Sequence, residues 1–307
     1  MIGRRQAGMA LLLVTLLWGG TFVWMKQALN AAQSFTQVYN ASSVVGIMVG
    51  FRFLLAAFIL FTISSTARQS LSSKDDWIGS FWLGIAMLLG YGIQMVGLDS
   101  ISPSVSAFLT SLYVVFTALL SIKITDKKMN RIFIFGVLSA TFGAGFIDGP
   151  PQLVWGWGEV LTVISALFFA IHIILTDIAT TRLHPIAVSQ ISFIIVGVGA
   201  LVFGLFSAGE ISVLQLILHD GVLFPLLLLS FFGTLVCLLV LNFFQKYFHP
   251  THAAIIYAFE PVWATIYGVH VGLVEVSGWL WIGGLAILIG NIFVEIEAKN
   301  NKNNQTL

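Results

Sequence analysis

The sequence predicts an all-α integral membrane protein in which ten transmembrane helices form two inverted five-helix repeats. Three observations predict this fold. Ten long apolar runs cover most of the 307 residues. Twelve of the 14 Lys and Arg residues fall in every second gap between these runs. Charged residues make up only 9% of the chain and the mean hydropathy is +0.97, whereas about one-quarter of a soluble domain is charged.

Each apolar run is about long enough for the ~20 residues that a helix needs to cross ~30 Å of hydrocarbon, although the fifth run is short. The first run follows two arginines, as a signal peptide would, but it is too long and lacks a small-residue cleavage site. We therefore interpret it as a retained helix. The ten predicted spans are 8–28, 44–64, 77–98, 104–122, 132–147, 157–177, 186–206, 221–244, 251–272 and 278–295.

The positive charges predict the orientation of the chain in the membrane. Lys and Arg near helix ends are retained on the cytoplasmic side, so we expect both termini in the cytoplasm and the spans in a cell (inner) membrane. Lys26 and Arg52 are the two exceptions, and both lie within or beside apolar runs. The residues of the basic gaps are Arg4, Arg5, Arg68, Lys74, Lys123, Lys127, Lys128, Arg131, Arg182, Lys246, Lys299 and Lys302.

The ten spans divide into five and five near residues 149–151, which gives 1–150 and 151–307 as the predicted repeats. An odd number of spans in each repeat forces the second repeat into the opposite orientation. Proline suits a helix start, and glycine lets membrane helices approach closely. A shift of 147 residues superposes several such positions: Pro103 on Pro250, Ala107 on Ala254, Gly136 on Gly283 and Gly143 on Gly290.

Inverted repeats of this kind build many secondary transporters, which hold their substrate near the midplane between the repeats. A channel usually presents rings of like charge, and this chain has one dominant intramembrane carboxyl instead. Neither an H-E-x-x-H motif nor a G-x-x-x-x-G-K-[ST] loop occurs, so zinc-dependent hydrolysis and ATP-driven pumping are disfavoured. We favour a secondary carrier that is not an enzyme. A facilitative channel or uniporter is the alternative, and a membrane-embedded enzyme is less favoured.

Glu260 is the strongest candidate for a substrate or coupling site. It lies in the middle of the run 251–272, where a carboxyl is costly and usually faces a cavity or a partner. Pro261 lacks the amide hydrogen that would bond to the Tyr257 carbonyl, and it can bend the helix. Reversible protonation of the carboxyl is a further hypothesis. The alternative is a neutral Glu260 that bonds to a neighbouring helix and serves packing alone.

Other polar and aromatic side chains near the middles of helices could line the same cavity. His172 could titrate there or form an interhelical hydrogen bond. Asn242 is a candidate too, although an interhelical hydrogen bond is favoured for it. Each aromatic residue taken singly favours core packing. The remaining candidates are Trp18, Phe22, Tyr91, Gln94, Tyr113 and Tyr257.

Arg52 is a costly charge if it lies deep in the second span. It could pair with an acid, extend to the outer face or bind an anionic substrate. Pairing, a structural role, is the favoured interpretation.

No cofactor and no metal site are expected. His249 and His252 are three residues apart, but Pro250 lies between them and no acid or cysteine accompanies them. The net charge of +1 gives no reason to expect nucleic acid as a partner. The expected partners are the lipid bilayer and a small-molecule substrate, with the chain acting as a monomer or homodimer.

Several motifs of the chain resemble those of a known family. Residues 18–22 read W-G-G-T-F, residues 52–56 read R-F-L-L-A, and residues 260–262 read E-P-V. These segments are similar to the drug/metabolite transporter superfamily, specifically its EamA-type ten-helix members. The resemblance implies a carrier of small metabolites, commonly an exporter of amino acids or related solutes.

The chain departs from the pattern of that superfamily in its first half. Val114 stands where a proline is common, and Lys128 stands where a glutamate is common. The connection around residues 34–46 is about ten residues longer than usual. These departures leave the fold prediction intact, but they make it unsafe to infer a substrate from the resemblance.

Overall fold

The computed structural model describes residues 4–125, 131–146, 156–248 and 250–303, and each of the ten predicted spans is mainly helical in its described part. The predicted all-α fold is confirmed. Its α-helices are α1 (Arg4–Ala31), α2 (Gln33–Tyr39), α3 (Ala41–Ile63), α4 (Ser65–Ser70), α5 (Lys74–Leu98), α6 (Pro103–Thr110), α7 (Tyr113–Thr125), α8 (Arg131–Phe146), α9 (Trp157–Arg182), α10 (Pro185–Ala208), α11 (Leu223–Leu228), α12 (Cys237–Phe244), α13 (Pro250–Tyr257), α14 (Glu260–His270) and α15 (Gly278–Asn303).

Seven helical stretches within the described residues are long and apolar enough to cross a membrane. Two shorter apolar stretches, Ile134–Gly143 and Gly278–Phe293, belong to the fifth and tenth spans. The ninth span is divided into α13 and α14, so neither part crosses a membrane alone. The predicted repeat boundary at 149–151, together with Lys127, Lys128 and His249, lies outside the described residues.

The eighth span is continuous but changes its winding. A π-helical segment, Leu229–Val236, separates α11 from α12. π-Helical turns are rare and frequently lie at functional sites. Because such a turn adds a residue to the winding, the face presented by α12 differs from the face that a straight α-helix would present.

Side chains next to the spans fix where two of the helices begin. The Ser73 hydroxyl accepts a hydrogen bond from the Asp76 amide at 3.2 Å before α5. The Ser102 hydroxyl accepts one from the Val105 amide at 3.2 Å before α6, which starts at Pro103. Serine caps and a first-turn proline satisfy or remove amide donors that a helix start leaves without partners.

The connection between α1 and α3 contains the helix α2, which accounts for its unusual length. Asn40 ends α2 with a φ of 69°, and its side-chain oxygen accepts a hydrogen bond from the Ser43 amide at 2.9 Å. The Tyr39 hydroxyl lies 3.0 Å from the Ser212 hydroxyl, which belongs to the 3-10 segment Ile211–Leu218. The α2 helix and this segment therefore pack together at one end of the bundle.

Helices α8 and α15 cross at the glycines that the 147-residue shift relates. A Cβ atom at Gly143 would lie 2.5 Å from the Gly283 carbonyl oxygen, and one at Gly290 would lie 2.6 Å from the Gly136 carbonyl oxygen. Replacing each of these residues by the residue 147 positions away turns the first contact into the second. The Ser139 hydroxyl also donates to the carbonyl of Ala286, the residue 147 positions later, at 2.9 Å. The two helices are antiparallel, because later residues of one approach earlier residues of the other.

The packing of the other spans shows the same relation between the two halves. Helix α3 packs mainly on α10, α5 on α9, and α1 on α14. Each of these contacts has a counterpart when every span is replaced by the equivalent span of the other half. The contact of the third span with the sixth (α5 with α9) corresponds to that of the eighth span with the first (α12 with α1). The contact of the first span with the ninth (α1 with α14) corresponds to that of the sixth span with the fourth (α9 with α6 and α7).

The fourth and ninth spans are interrupted at positions that lie 147 residues apart in the sequence. Helix α6 ends at Thr110 and α7 begins at Tyr113, whereas α13 ends at Tyr257 and α14 begins at Glu260. Both pairs differ by 147 residues, as do the hydrogen-bonded Ser139 and Ala286. Where the sequence indicated that Pro261 could bend its helix, the structure has a break between α13 and α14 just before that residue. An equivalent interruption occurs where the chain has no proline.

We expect Gly143→Ala to destabilise the protein by about 1–3 kcal/mol, because the added methyl group would force α8 and α15 apart. Gly92→Ala is the matched control. A Cβ atom there meets nothing within 4 Å, and alanine favours a helix over glycine by about 0.8–1 kcal/mol. Thermal unfolding of the purified protein in detergent measures both variants. Equal melting temperatures would contradict the close crossing.

Candidate functional site

A small cavity lies at the level of the two helix interruptions, between the halves of the bundle. Its free volume is about 40 Å³, which is room for roughly three water molecules. Most of the residues predicted for the site line it. The lining residues are Trp18, Thr21, Phe22, Tyr91, Gln94, Thr110, Tyr113, Phe169, His172, Ile173, Leu241, Tyr257 and Glu260.

Glu260 lies at the point where α13 gives way to α14. It is the first residue of α14 and is followed by Pro261 in the first turn. The residue is 7% exposed. Within the described part of the chain, its carboxyl forms no hydrogen bond and no ion pair. An intramembrane carboxyl beside a cavity and without such a partner is available to a ligand or a proton.

Tyr113 occupies the equivalent place at the start of α7. Its side chain is buried, and its hydroxyl has no hydrogen-bond partner among the described residues. Buried polar groups are usually bonded. The cavity is therefore lined by a free hydroxyl at one interruption and a free carboxyl at the other.

The interruption before Tyr113 is supported by side chains instead of by proline. The Ser111 hydroxyl donates to the Phe108 carbonyl at 2.7 Å. The Asn291 amide group of α15 lies 3.4 Å from both the carbonyl and the hydroxyl of Ser111. Backbone groups released by a helix break in a membrane need such partners, since the surrounding hydrocarbon offers none.

Aromatic rings form two walls of the cavity. The Trp18 and Tyr257 rings meet edge to face with centroids 5.5 Å apart, and the Tyr91 and Phe169 rings do so at 5.0 Å. The Trp18 indole donates to the Gly233 carbonyl of the π-helical segment at 3.3 Å. The rings are therefore held by packing against each other, and Trp18 is also held by a hydrogen bond.

Polar contacts lie on both sides of the cavity along the bundle. Ser104 of α6 and Thr265 of α14 share a hydrogen bond on the side where α6 begins. On the other side, the Tyr257 hydroxyl donates to the Gln245 side chain at 3.2 Å, and the Gln245 amide group donates to the Ile173 carbonyl at 2.8 Å.

His172 and Gln94 are also oriented by neighbours. The His172 Nε2 atom lies 3.4 Å from the Thr176 hydroxyl one turn later in α9. The Gln94 amide group donates to the Thr110 hydroxyl at 3.0 Å. Both predicted residues line the cavity with a fixed side-chain direction.

Two predicted residues do not line the cavity. Pro261 follows Glu260 without reaching the cavity wall. The Asn242 amide group donates to the Ser189 hydroxyl of α10 at 2.7 Å, which is the interhelical hydrogen bond favoured for it.

Arg52 differs from the expected acid pairing. Its side chain is 1% exposed, so it does not extend to the outer face. Within the described residues it forms no ion pair with an acid. Its Nε donates to the Thr234 hydroxyl, and one terminal nitrogen lies 3.8 Å from the Met25 sulfur. The second intramembrane cation, Lys26, instead donates to the Leu98 and Asp99 carbonyls at the end of α5, at 3.0 and 2.7 Å.

Comparison with known proteins identifies the family. Residues 6–147 and 156–296 each match the EamA-like transporter family. The chain belongs to the EamA-like transporter family. This membership, with its apolar helices, makes it a multi-pass membrane transporter, as the predicted resemblance to the drug/metabolite transporter superfamily implied.

Two relatives of this EamA-like protein have been named as transporters. It is 27% identical over 295 residues to an uncharacterized transporter of Archaeoglobus fulgidus, covering 96% of this chain and 87% of that one. It is 27% identical over 164 residues, 52% of each chain, to the uncharacterized transporter YoaV of Bacillus subtilis. A crystal structure of another protein has the same fold, with a TM-score of 0.59 at 16% identity over 93% of this chain and 98% of that one.

Several residues of the site were missed by sequence reasoning. Thr21 and Thr110 are small polar residues within apolar runs, so the sequence does not distinguish them from other residues of a membrane helix. Gln245 lies just beyond the predicted eighth span, so the sequence does not place it in the membrane interior. Its polar character next to that span is the signal that could have found it.

We expect Gln245→Leu to destabilise the EamA-like protein by about 1–3 kcal/mol, because the Ile173 carbonyl and the Tyr257 hydroxyl would lose a buried partner. Gln215→Leu, in the exposed part of the 3-10 segment, is the matched control and should change stability by less than about 0.5 kcal/mol. Thermal unfolding in detergent compares them. A loss of the same size in both variants would contradict a buried role for Gln245.

Proposed function

We propose that this EamA-like protein is a secondary-active transporter that moves a small organic solute by alternating access around the described cavity. Amino acids or related solutes are the proposed cargo and export is the proposed direction, as the family resemblance implies. Proton coupling and solute exchange both remain compatible with this proposal. The observation that carries it is the pair of helix interruptions that bring Tyr113 and Glu260 to one small cavity.

The proposed inverted repeat, with residues 1–150 and 151–307 as its halves, is supported by the internal symmetry of the packing. The contacts of α8 with α15 exchange under the 147-residue shift. The family matches the chain twice, once in each half. Inverted repeats of this kind place substrate near the bilayer midplane and alternate by moving one part against another.

The lining of the cavity repeats between the proposed halves. Phe169, His172 and Ile173 of α9 follow Trp18, Thr21 and Phe22 of α1 by the same number of residues. Leu241 likewise follows Gln94 by the separation that relates Glu260 to Tyr113. Equivalent positions of the two halves thus face one space, which favours a binding site between them.

The small size of the cavity supports a carrier over a channel with a continuous pore. Its free volume of about 40 Å³ is small, and ligand pockets are usually about 300–1,000 Å³. Solute binding therefore requires part of the wall to move. The Ser104–Thr265 contact lies toward one face and the Tyr257–Gln245 contact toward the other, so releasing one set at a time would expose the cavity to one side of the membrane.

Glu260 is the proposed coupling residue. Its carboxyl can bind a cationic group of the solute or carry a proton, because it lacks a partner in the described structure and lies beside the cavity. The residues proposed to contact the solute with it are Trp18, Phe22, Tyr91, Gln94, Tyr113, His172 and Tyr257.

We expect Glu260→Gln to lower the initial rate of solute uptake into reconstituted vesicles by about tenfold, which corresponds to about 1.4 kcal/mol of lost interaction energy, or to remove the dependence of uptake on pH. A thermal-shift screen of amino acids, nucleosides and polyamines selects the solute. Glu275→Gln, at an exposed position between α14 and α15, is the matched control. Uptake by Glu260→Gln that equals the control at every pH would make Glu260 merely structural.

We also expect both termini to lie in the cytoplasm, with the chain in the inner membrane. In a Cys237→Ser background, a cysteine added to either terminus should react with an impermeant thiol reagent only after the cells are opened. Gln37→Cys, exposed in α2, should react in intact cells. Termini labelled from opposite sides would exclude ten spans and the inverted repeat together.

A further inference from the structure

A groove on the side of the bundle is not used by the proposed mechanism. Its free volume is about 370 Å³, whereas that of the central cavity is about 40 Å³. Helices α3 and α5 form its two sides, and α10 lies at its base. Both α3 and α5 pack on α10 but contact each other little, so a gap remains between them. Along α5 the lining extends from Leu88 to Val96, a rise of about 12 Å.

The groove opens where the close packing of α5 on α10 ends. A Cβ atom at Gly84 would lie 2.8 Å from the Ile195 side chain, and one at Gly199 would lie 2.7 Å from a Leu88 methyl group. One turn beyond Leu88, a Cβ atom at Gly92 would meet nothing within 4 Å. Glycine costs a helix about 0.8–1 kcal/mol relative to alanine, and membrane helices usually carry it where another helix approaches closely. Gly92 has no such neighbour in the described part of the chain, so the space beside it indicates a ligand.

The walls of the groove are apolar, and its rim is continuous with the lipid-facing surface. Among the described residues that line it, Ser42 at the start of α3 is the one polar residue. At the rim, Phe203 is 55% exposed and Leu89 is 38% exposed, whereas Ala200 and Val49 deeper in the groove are buried. Apolar cavities exclude water, and an empty groove would deprive its walls of dispersion contacts. Hydrocarbon from the bilayer is therefore the medium that suits it.

We propose that this groove binds one acyl chain of a phospholipid from the outer leaflet, intercalated between α3 and α5. Helix α3 begins and α5 ends at the mouth, which lies toward the outer face in the orientation proposed above. The length of about 12 Å fits within the ~15 Å of hydrocarbon that one leaflet contributes. The Ser42 hydroxyl at the mouth can donate a hydrogen bond to an ester oxygen of the lipid. This inference does not depend on which solute is transported.

Photolabelling of the full-length protein in vesicles tests this assignment. The probe is phosphatidylethanolamine with a diazirine near the middle of one acyl chain, and mass spectrometry of the peptides locates the label. A lipid that only covers the protein surface labels rim residues such as Phe203 and Leu89. Only a chain inside the groove reaches the buried Ala200 and Val49. We therefore expect the wild type to carry label on these two residues as well as on the rim.

A variant that fills the groove separates a bound chain from surface lipid. Gly92→Phe places a ring in the open space of the groove, so it should lose the label on Ala200 and Val49 and keep the label on Phe203. Val202→Phe is the matched control, since Val202 is exposed on α10 and is not part of the lining. It should be labelled as the wild type is. The melting temperature reports whether Gly92→Phe is folded, and Gly92→Leu, with a smaller side chain, provides the test if it is not.

Three results would overturn the proposed acyl-chain site. Label on Phe203 and Leu89 without label on Ala200 or Val49 would show surface lipid only. A wild type without label on either the rim or the deeper residues would show that a second copy of the chain covers the groove. Equal labelling of Ala200 in the wild type and in the folded Gly92 variant would show that the chain lies elsewhere. The transport proposal fails separately, if vesicles containing the wild type take up no solute, and that failure would leave the labelling pattern unchanged.

Discussion

Interrupting a helix inside a membrane leaves carbonyl and amide groups with no water to bond, and this constraint shapes the whole site. At Pro261 one of the amide donors is absent from the start. At Ser111 the chain supplies its own hydroxyl and the Asn291 amide. The two interruptions lie at equivalent positions, so the polar groups at both breaks lie at one depth in the membrane. The cavity and its free carboxyl depend on this arrangement.

The helices that form the cavity differ from those that hold the bundle together. Helices α8 and α15, and α3 and α10, meet through glycines that bring their backbones into contact, for example Gly46 against Gly204. Lipid provides no hydrophobic driving force for helix association, so close van der Waals contact between small residues must stabilise it. The walls around Glu260 consist mainly of aromatic and polar side chains instead. The frame of the bundle and the wall of the cavity are thus built from different residue types.

The positions of the helices and most of the cavity residues could be predicted from the sequence, because runs of apolar residues and intramembrane polar groups have direct physical meanings. Trp18, Tyr113 and Glu260 line the cavity as their mid-helix positions indicated. The face of Asn242 could not be derived, since the π-helical segment before it alters the helical phase. The surroundings of Arg52 depend on three other spans that meet only in the tertiary structure. No proline in the sequence indicates the break at Ser111.

The residues that differ between equivalent positions have an energetic consequence. In an inverted repeat, the outward-open and inward-open forms interconvert when the two halves exchange conformations. Identical halves would give these forms equal energies. A tyrosine opposite a glutamate, Tyr113 and Glu260, breaks that degeneracy, as does Thr21 opposite His172. In the proposed alternating-access mechanism, such differences between the halves would give the transporter a resting preference for one side of the membrane.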